Sequence, residues 1–126
     1  MPYLVDTDIL VHVSRNNQGA IACVDALEND WAISAMTALE LISGAKNQRE
    51  VELVDRLFEV YTIIPVNRSI GESAYKLLKK YAKSDGLRTF DSLIAASAIE
   101  EQRTLVTRNR KHFSMIDELS LEVPVY

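Results

Sequence analysis

Short apolar runs alternate with helical-period segments along the whole chain, and this alternation narrows the possible fold more than any other feature. Tyr3-Leu4-Val5, Trp31-Ala32-Ile33-Ser34, Thr62-Ile63-Ile64-Pro65-Val66 and Thr104-Leu105-Val106-Thr107 are too short for buried helices and are rich in β-branched and aromatic residues. Each is read as a strand, and Tyr3–Val5, with no room for a helix before it, as a buried central one. Leu121, Val123 and Val125 alternate with polar or turn residues and suggest a fifth, edge strand. Helices are expected between the strands: around Ile9–Val13, capped by an Asp or Thr of the Asp6-Thr7-Asp8 run, then at Ala20–Glu28, Ala35–Ala45, Glu50–Val60, Ser69–Lys83 and Thr89–Glu101. Strands alternating with helices predict a parallel sheet covered on both faces. Sites on such sheets form beyond the carboxyl ends of the strands.

The breaks between elements are equally readable. Asn16-Asn17-Gln18-Gly19 interrupts the helical pattern, Asn29-Asp30 ends the second helix, and Asp85-Gly86 is a turn signal. Four residues of Ala35–Ala45 (Ala38, Leu41, Ile42 and Ala45) form one apolar stripe. Val51, Val54, Leu57 and Phe58 point inward from Glu50–Val60. The stretch Thr89–Glu101 is apolar all round in its middle, as a buried helix is. Its alanines and Ser97 let a neighbouring element come close. Arg108–Met115 reads as a loop or short helix. Trp31 and Tyr75 read as core or interface aromatics.

With 126 residues, one domain spanning 1–126 is expected. A hydrophobic content of 48% and a charged content of 25% fit a globular chain rather than a disordered one. The net charge of -4 argues against a generic basic nucleic-acid coat, which depends on neutralising phosphates. A nuclease stays open, because a bound metal reverses the local sign of a site. Cys23 is the lone cysteine, so an internal disulfide is excluded, and it reads as a small buried hydrophobe in a reducing, cytoplasmic setting. His12 and His112 are far apart and form no zinc cluster with it. The sequence begins without a signal-peptide pattern, and no apolar stretch approaches the ~20 residues of a membrane span.

Asp6, Glu40, Asp91 and Asn109 each place an oxygen donor where an apolar element meets a boundary or helix edge. Hard cations take oxygen ligands, and Mg2+ is held by a few carboxylates plus waters. Gathered acidic groups repel one another unless a cation neutralises them. Taken singly, each has a plainer reading. Asp6 and Asp91 can cap helices, Glu40 can be a solvated charge, and Asp8 and Asn109 can be turn residues. The basic cluster Arg108, Arg110, Lys111 and His112 can be solvated surface.

Four segments in order resemble the motifs of PIN-domain ribonucleases: Tyr3-Leu4-Val5-Asp6-Thr7-Asp8-Ile9-Leu10, Ser34–Ala45 with Glu40 as its acidic residue, Phe90-Asp91-Ser92-Leu93-Ile94-Ala95-Ala96, and Leu105–Phe113. The resemblance spans the chain and is to the VapC-type toxins of prokaryotic toxin–antitoxin pairs. Asp8 stands where the family often has Asn, and Asn109 where it often has Asp. The resemblance implies a three-layer α/β/α PIN-like fold with a mostly parallel central sheet of about four or five strands. It implies a magnesium-dependent endoribonuclease, with Mn2+ as a substitute, cutting RNA by metal-activated water. On that reading Asp6 and Asp91 are principal metal ligands. Glu40 is a ligand through water or the base. Asn109 completes the site, with Thr7, Asp8 and Thr107 orienting the ligands. Arg108, Arg110 and Lys111 contact RNA. The implied partners are a VapB-like antitoxin and a second copy of the chain, with Ala20–Glu28 and Glu50–Val60 supplying the groove.

Two other functions fit parts of the sequence. Asp6-Thr7-Asp8 after a strand has the look of a haloacid-dehalogenase phosphatase, although Leu10 stands where that family wants Thr or Val, and Arg108–Phe113 holds no acidic residue. A catalytically silent PIN-like binding module is the non-enzyme alternative, against which the retention of Asp6, Glu40 and Asp91 speaks.

Overall fold

A computed structural model of the protein describes residues 2–28 and 30–126. The elements in chain order are β1 (Tyr3–Val5), α1 (Thr7–Ser14), α2 (Gln18–Asp25), β2 (Trp31–Ser34), α3 (Ala35–Ser43), α4 (Gln48–Val60), β3 (Thr62–Ile64), α5 (Arg68–Asp85), α6 (Thr89–Glu100), β4 (Thr104–Val106), α7 (Arg110–Phe113) and β5 (Leu121–Glu122). The sheet runs β3-β2-β1-β4-β5, every pair parallel, so β1 is central as its apolar run requires. Leu4 pairs with Ala32 on one side and Leu105 on the other.

Alternate residues of these strands face opposite layers, because side chains in a strand alternate across the sheet. Leu4, Ala32 and Leu105 join one core with Ile70, Leu77 and Tyr81 of α5 and Ile94 of α6. Their neighbours Val5, Ile33 and Val106 join a second core with Ile9 and Leu10 of α1 and Val24 of α2. Two cores on two faces make the three-layer α/β/α arrangement that the alternation of elements predicts.

Local chemistry sets the element ends. Asp6, Asn17, Ser34, Asn47 and Asn67 each accept a backbone N–H at the start of a helix, from α1 to α5 in turn. Gly86 closes α5 at φ 74°, a conformation that costs glycine nothing, and donates its N–H to the Ala82 carbonyl.

Some sequence expectations are corrected. β3 stops at Ile64, since Pro65 has no N–H for the ladder. β5 is only Leu121–Glu122; Pro124 likewise cannot donate, and Val125 is fully exposed. The second helix ends at Asp25, earlier than expected, and of the Asn29-Asp30 stop signal Asn29 lies outside the described residues. In α3 the buried positions are Met36 and Thr37, while Leu39 and Ile42 are exposed. No residue of α4 is fully buried. Cys23 is half-buried. Tyr75 is exposed, whereas Trp31 is buried and stacks on Tyr61 at 3.9 Å.

The apolar helix α6 is the buried one. Ala95, Ala96 and Ala98 are wholly inaccessible, against α5, α3 and β4. Ala96→Leu should therefore cost about 1–3 kcal/mol through overpacking. Phe90→Ala removes more volume but from a side chain that is 54% exposed, and should cost less. Urea unfolding of the two variants measures this, and the reverse order would place α6 at the surface.

Candidate active site

The carboxyl ends of β1 and β4 lie side by side, which brings residues a hundred positions apart into contact. The Asp6 N–H donates to the Val106 carbonyl at 3.0 Å. The Thr107 hydroxyl donates to Asp6 Oδ2 at 2.7 Å, and the Thr7 N–H donates to Oδ1 at 2.8 Å. Asp6 is thus the α1 cap, as one of its sequence readings has it, and a buried carboxylate at the same time. Asp8 accepts the Ile9 N–H on one oxygen and the Arg108 N–H on the other, tying α1 to the segment after β4. Asn109 joins through its backbone N–H, which donates to the Thr107 hydroxyl at 3.0 Å.

The end of β2 delivers Glu40. Ser34 caps α3, and its hydroxyl accepts the Thr37 N–H. Glu40 follows one turn later, and the Thr7 hydroxyl donates to its Oε1 at 2.7 Å. Thr37 Oγ1 lies 3.1 Å from the same hydroxyl. Asp91 sits in the first turn of α6, where unpaired N–H groups favour a negative charge. Arg88 Nε lies 3.7 Å and His112 Nδ1 3.3 Å from its Oδ2.

Charge is concentrated here at a cost. The Asp6 pKa is raised from 3.8 to about 7, first by burial and then by Asp8; the bonds from Thr107 and Thr7 oppose the shift, and Asp91 adds to it. Burial also raises the Asp91 pKa, against the pull of His112 and Arg88. A buried carboxylate facing others needs a proton or a cation. Among the described residues no three Asp, Glu, His or Cys side chains converge into a ready cage. The side chains that do gather here, Asp6, Glu40 and Asp91, offer oxygen donors, the kind that hard divalent ions take. The donor set therefore fits a hard divalent ion.

Two adjoining hollows share Lys111 and His112. One, of about 540 Å³, is lined by Arg108, Asn109, Arg110, Lys111, His112 and Ser114. The other, of about 250 Å³, is lined by Asp85, Gly86, Arg88, Asp91, Lys111, His112 and Met115. Arg88 and Lys111 thus line the same hollow as Asp91, and Arg108 and Arg110 line the one beside it. Sequence reasoning brought Asp6, Thr7, Asp8, Glu40 and Thr107 to one bonded group, with Asp91 beside it. It missed Thr37 and Arg88, and treated His112 as structural. The spacing Ser34-x-x-Thr37-x-x-Glu40, one face of a helix, was the available signal for Thr37.

The profile of the PIN domain matches residues 3–119. The chain belongs to the PIN domain family. Ribonuclease VapC10 of Mycobacterium tuberculosis is 32% identical over 122 residues, covering 92% of this chain and 89% of the relative. Ribonuclease VapC19 of the same organism is 29% identical over 120 residues, with 92% and 95% covered. A toxin–antitoxin complex from Klebsiella pneumoniae contains a chain that superposes with a TM-score of 0.85 at 28% identity, 98% of each chain covered. The three-layer architecture of this PIN domain is that of the Klebsiella chain.

The raised Asp6 pKa has a stability consequence in metal-free protein. The unfolded chain releases this proton near pH 3.8 and the folded chain near 7, so the fold loses stability as pH rises between them. Asp6→Asn removes the ionisation. In chelator at pH 8 this variant should be more stable than the parent by about 1–3 kcal/mol, and the gain should vanish near pH 4. Urea midpoints at both pH values measure it; an equal gain at both would remove charge burial as the cause.

Proposed function

We propose that this PIN domain is a divalent-metal-dependent endoribonuclease and the toxin of a type II toxin–antitoxin pair. The observation that carries the reading is the buried Asp6 carboxylate, pressed by Asp8 and Asp91 and open to compensation by a cation. Asp6 and Asp91 would hold the ion, Mg2+ or Mn2+, with Glu40 and Asn109 beside it. When bound, it would supply Lewis-acid polarisation of a phosphoryl oxygen and lower the pKa of a water.

The chain's own groups divide the remaining work. Thr107 and Thr7 fix the Asp6 oxygens and so set the direction of its free lone pairs. Thr7 also orients Glu40, which would take the proton of the attacking water. That water forms the new bond to phosphorus as the opposite P–O bond to the leaving sugar oxygen breaks. Arg108, Arg110 and Lys111 line the hollow that adjoins the one holding Asp91 and would bind the flanking phosphates, positioning the scissile one. The phosphatase reading is set aside: both Asp8 oxygens are committed to backbone N–H groups, so Asp8 is not free to act as a general acid.

A protein partner is supported by apolar surface. Leu39 and Ile42 of α3 and Leu53 and Val60 of α4 are exposed. Of the two helices expected to supply a groove, α4 exposes apolar side chains and α2 leaves Ile21 partly exposed while Ala20 and Val24 are buried; α3 adds to this surface. An antitoxin or a second copy of the chain would cover it. Among the described residues no helix is long and apolar enough to cross a membrane.

Cleavage of single-stranded RNA should require Mg2+ or Mn2+ and stop in EDTA. Asp6→Asn and Asp91→Asn should each lower the rate at least about a hundredfold, as for loss of a group acting in the transition state. Full activity in chelator, or variants within a few-fold of the parent in nuclease-free preparations, would overturn the assignment.

Asn109→Asp tests its place at the site. An added carboxylate within reach of the ion should lower the Mg2+ concentration for half-maximal activity by about tenfold, equivalent to ~1.4 kcal/mol. Superimposable Mg2+ titrations of the two forms would remove Asn109 from the metal site.

A further inference from the structure

Beyond the site itself, Tyr126 makes contacts that the reaction as described does not use. The segment after β5 returns across the start of α2 and the middle of α1, with Val125 pointing into solvent and Tyr126 half-buried. Three separate features receive this one ring. Its hydroxyl shares a hydrogen bond with His12 Nδ1 at 2.8 Å, and the two rings meet edge to face. Gly19 leaves the space it fills, since a Cβ there would overlap the Tyr126 Cβ and Cγ. The Arg108 guanidinium lies over its face, 4.3 Å from the ring centre. A solvated side chain would need none of these.

We propose that Tyr126 is a positioning residue that holds Arg108 ready for an RNA phosphate. Arg108 is anchored at both ends. Its backbone N–H donates to Asp8, two residues from the buried Asp6, and its guanidinium rests on the ring. The Arg108 guanidinium, 4.3 Å from the ring centre, carries a planar fork of N–H donors, the geometry that grips a phosphate in pairs. An arginine that is otherwise exposed must surrender rotamer freedom when it binds. Stacking on Tyr126 removes part of that loss beforehand, and His12 and Gly19 in turn fix the ring. The proposal rests on the ribonuclease reading and on Arg108 as an RNA contact.

The experiment uses a fluorescein-labelled single-stranded oligoribonucleotide of mixed sequence, bound by full-length protein carrying Asp6→Asn so that it is not cut. Anisotropy titrations compare Tyr126→Leu, Tyr126→Phe and Gly19→Ala, each with Arg108 and with Arg108→Ala. Tyr126→Leu should weaken binding by about three- to tenfold. Gly19→Ala, which favours the helix but evicts the ring, should do the same. Tyr126→Phe keeps the stack and should stay within about twofold. In the Arg108→Ala background all three should have no effect. Equal losses with and without Arg108 would reduce Tyr126 to a structural contact and overturn the proposal, as would a Tyr126→Phe loss as large as that of Tyr126→Leu. The heteronuclear NOE of the Arg108 Nε–H, recorded without RNA, separates the two levels of failure. It should fall in Tyr126→Leu; an unchanged value overturns the clamp. A fall with no RNA bound by the parent locates the error in the ribonuclease reading; a fall with RNA bound as tightly by Arg108→Ala as by the parent leaves that reading standing and overturns the phosphate role of Arg108.

Discussion

The hydrogen bond from Thr107 to Asp6 joins the two central strands at their carboxyl ends, and the site is arranged around it. Burial sets the cost of the Asp6 charge and Asp8 increases it. Two donors, Thr107 and the Thr7 N–H, hold the carboxylate in place without neutralising it. The carboxylate is thus fixed in place while its burial and its acidic neighbours still disfavour its charge. A fully satisfied ion pair at the same depth would be more stable alone and less able to take a metal.

From that bond the rest of the site follows by short steps. Thr7, next to Asp6, reaches Glu40 on another helix, so the three-residue run Asp6-Thr7-Asp8 joins α1 both to α3 and to the segment after β4. Asp8 holds the backbone of Arg108, and Arg108 is in turn held by Tyr126. The basic cluster thereby has a fixed edge next to the acidic centre. On the proposed ribonuclease reading, a chain of net negative charge would bind RNA through the cations gathered beside the acidic centre.

Much of the fold was legible before any coordinates. The strands β1, β2 and β4 are near-continuous apolar runs because both of their faces are covered. The edges were read less well. β5 carries alternating apolar residues, but Pro124 cannot pair, and Val125 stays in solvent. α3 and α4 show apolar residues at helical spacing, yet several of these are exposed. Periodicity marks an apolar face without saying whether this chain or another covers it. In the site, Asp6, Glu40 and Asp91 stood out as acids at the margins of apolar elements. Thr37 and Arg88 did not, because a threonine on a helix and an arginine before one are ordinary until their neighbours are known.

The sequence by itself determined the order of elements, the centrality of β1 and the acidic residues at element boundaries. Those depend on local patterns of two and 3.6 residues and on side-chain chemistry. Only the tertiary structure decided that Thr107 meets Asp6, that Asp8 spends both oxygens on backbone, that His112 and Arg88 face Asp91, and that Tyr126 lies on Arg108. Each of these but the Arg88 contact and the Asp8 bond to Ile9 joins residues far apart in the chain, and their meeting is set by strand order and by the return of the segment after β5. The raised pKa of Asp6 belongs to the same class: it measures burial and neighbouring charge, which no single stretch of sequence contains.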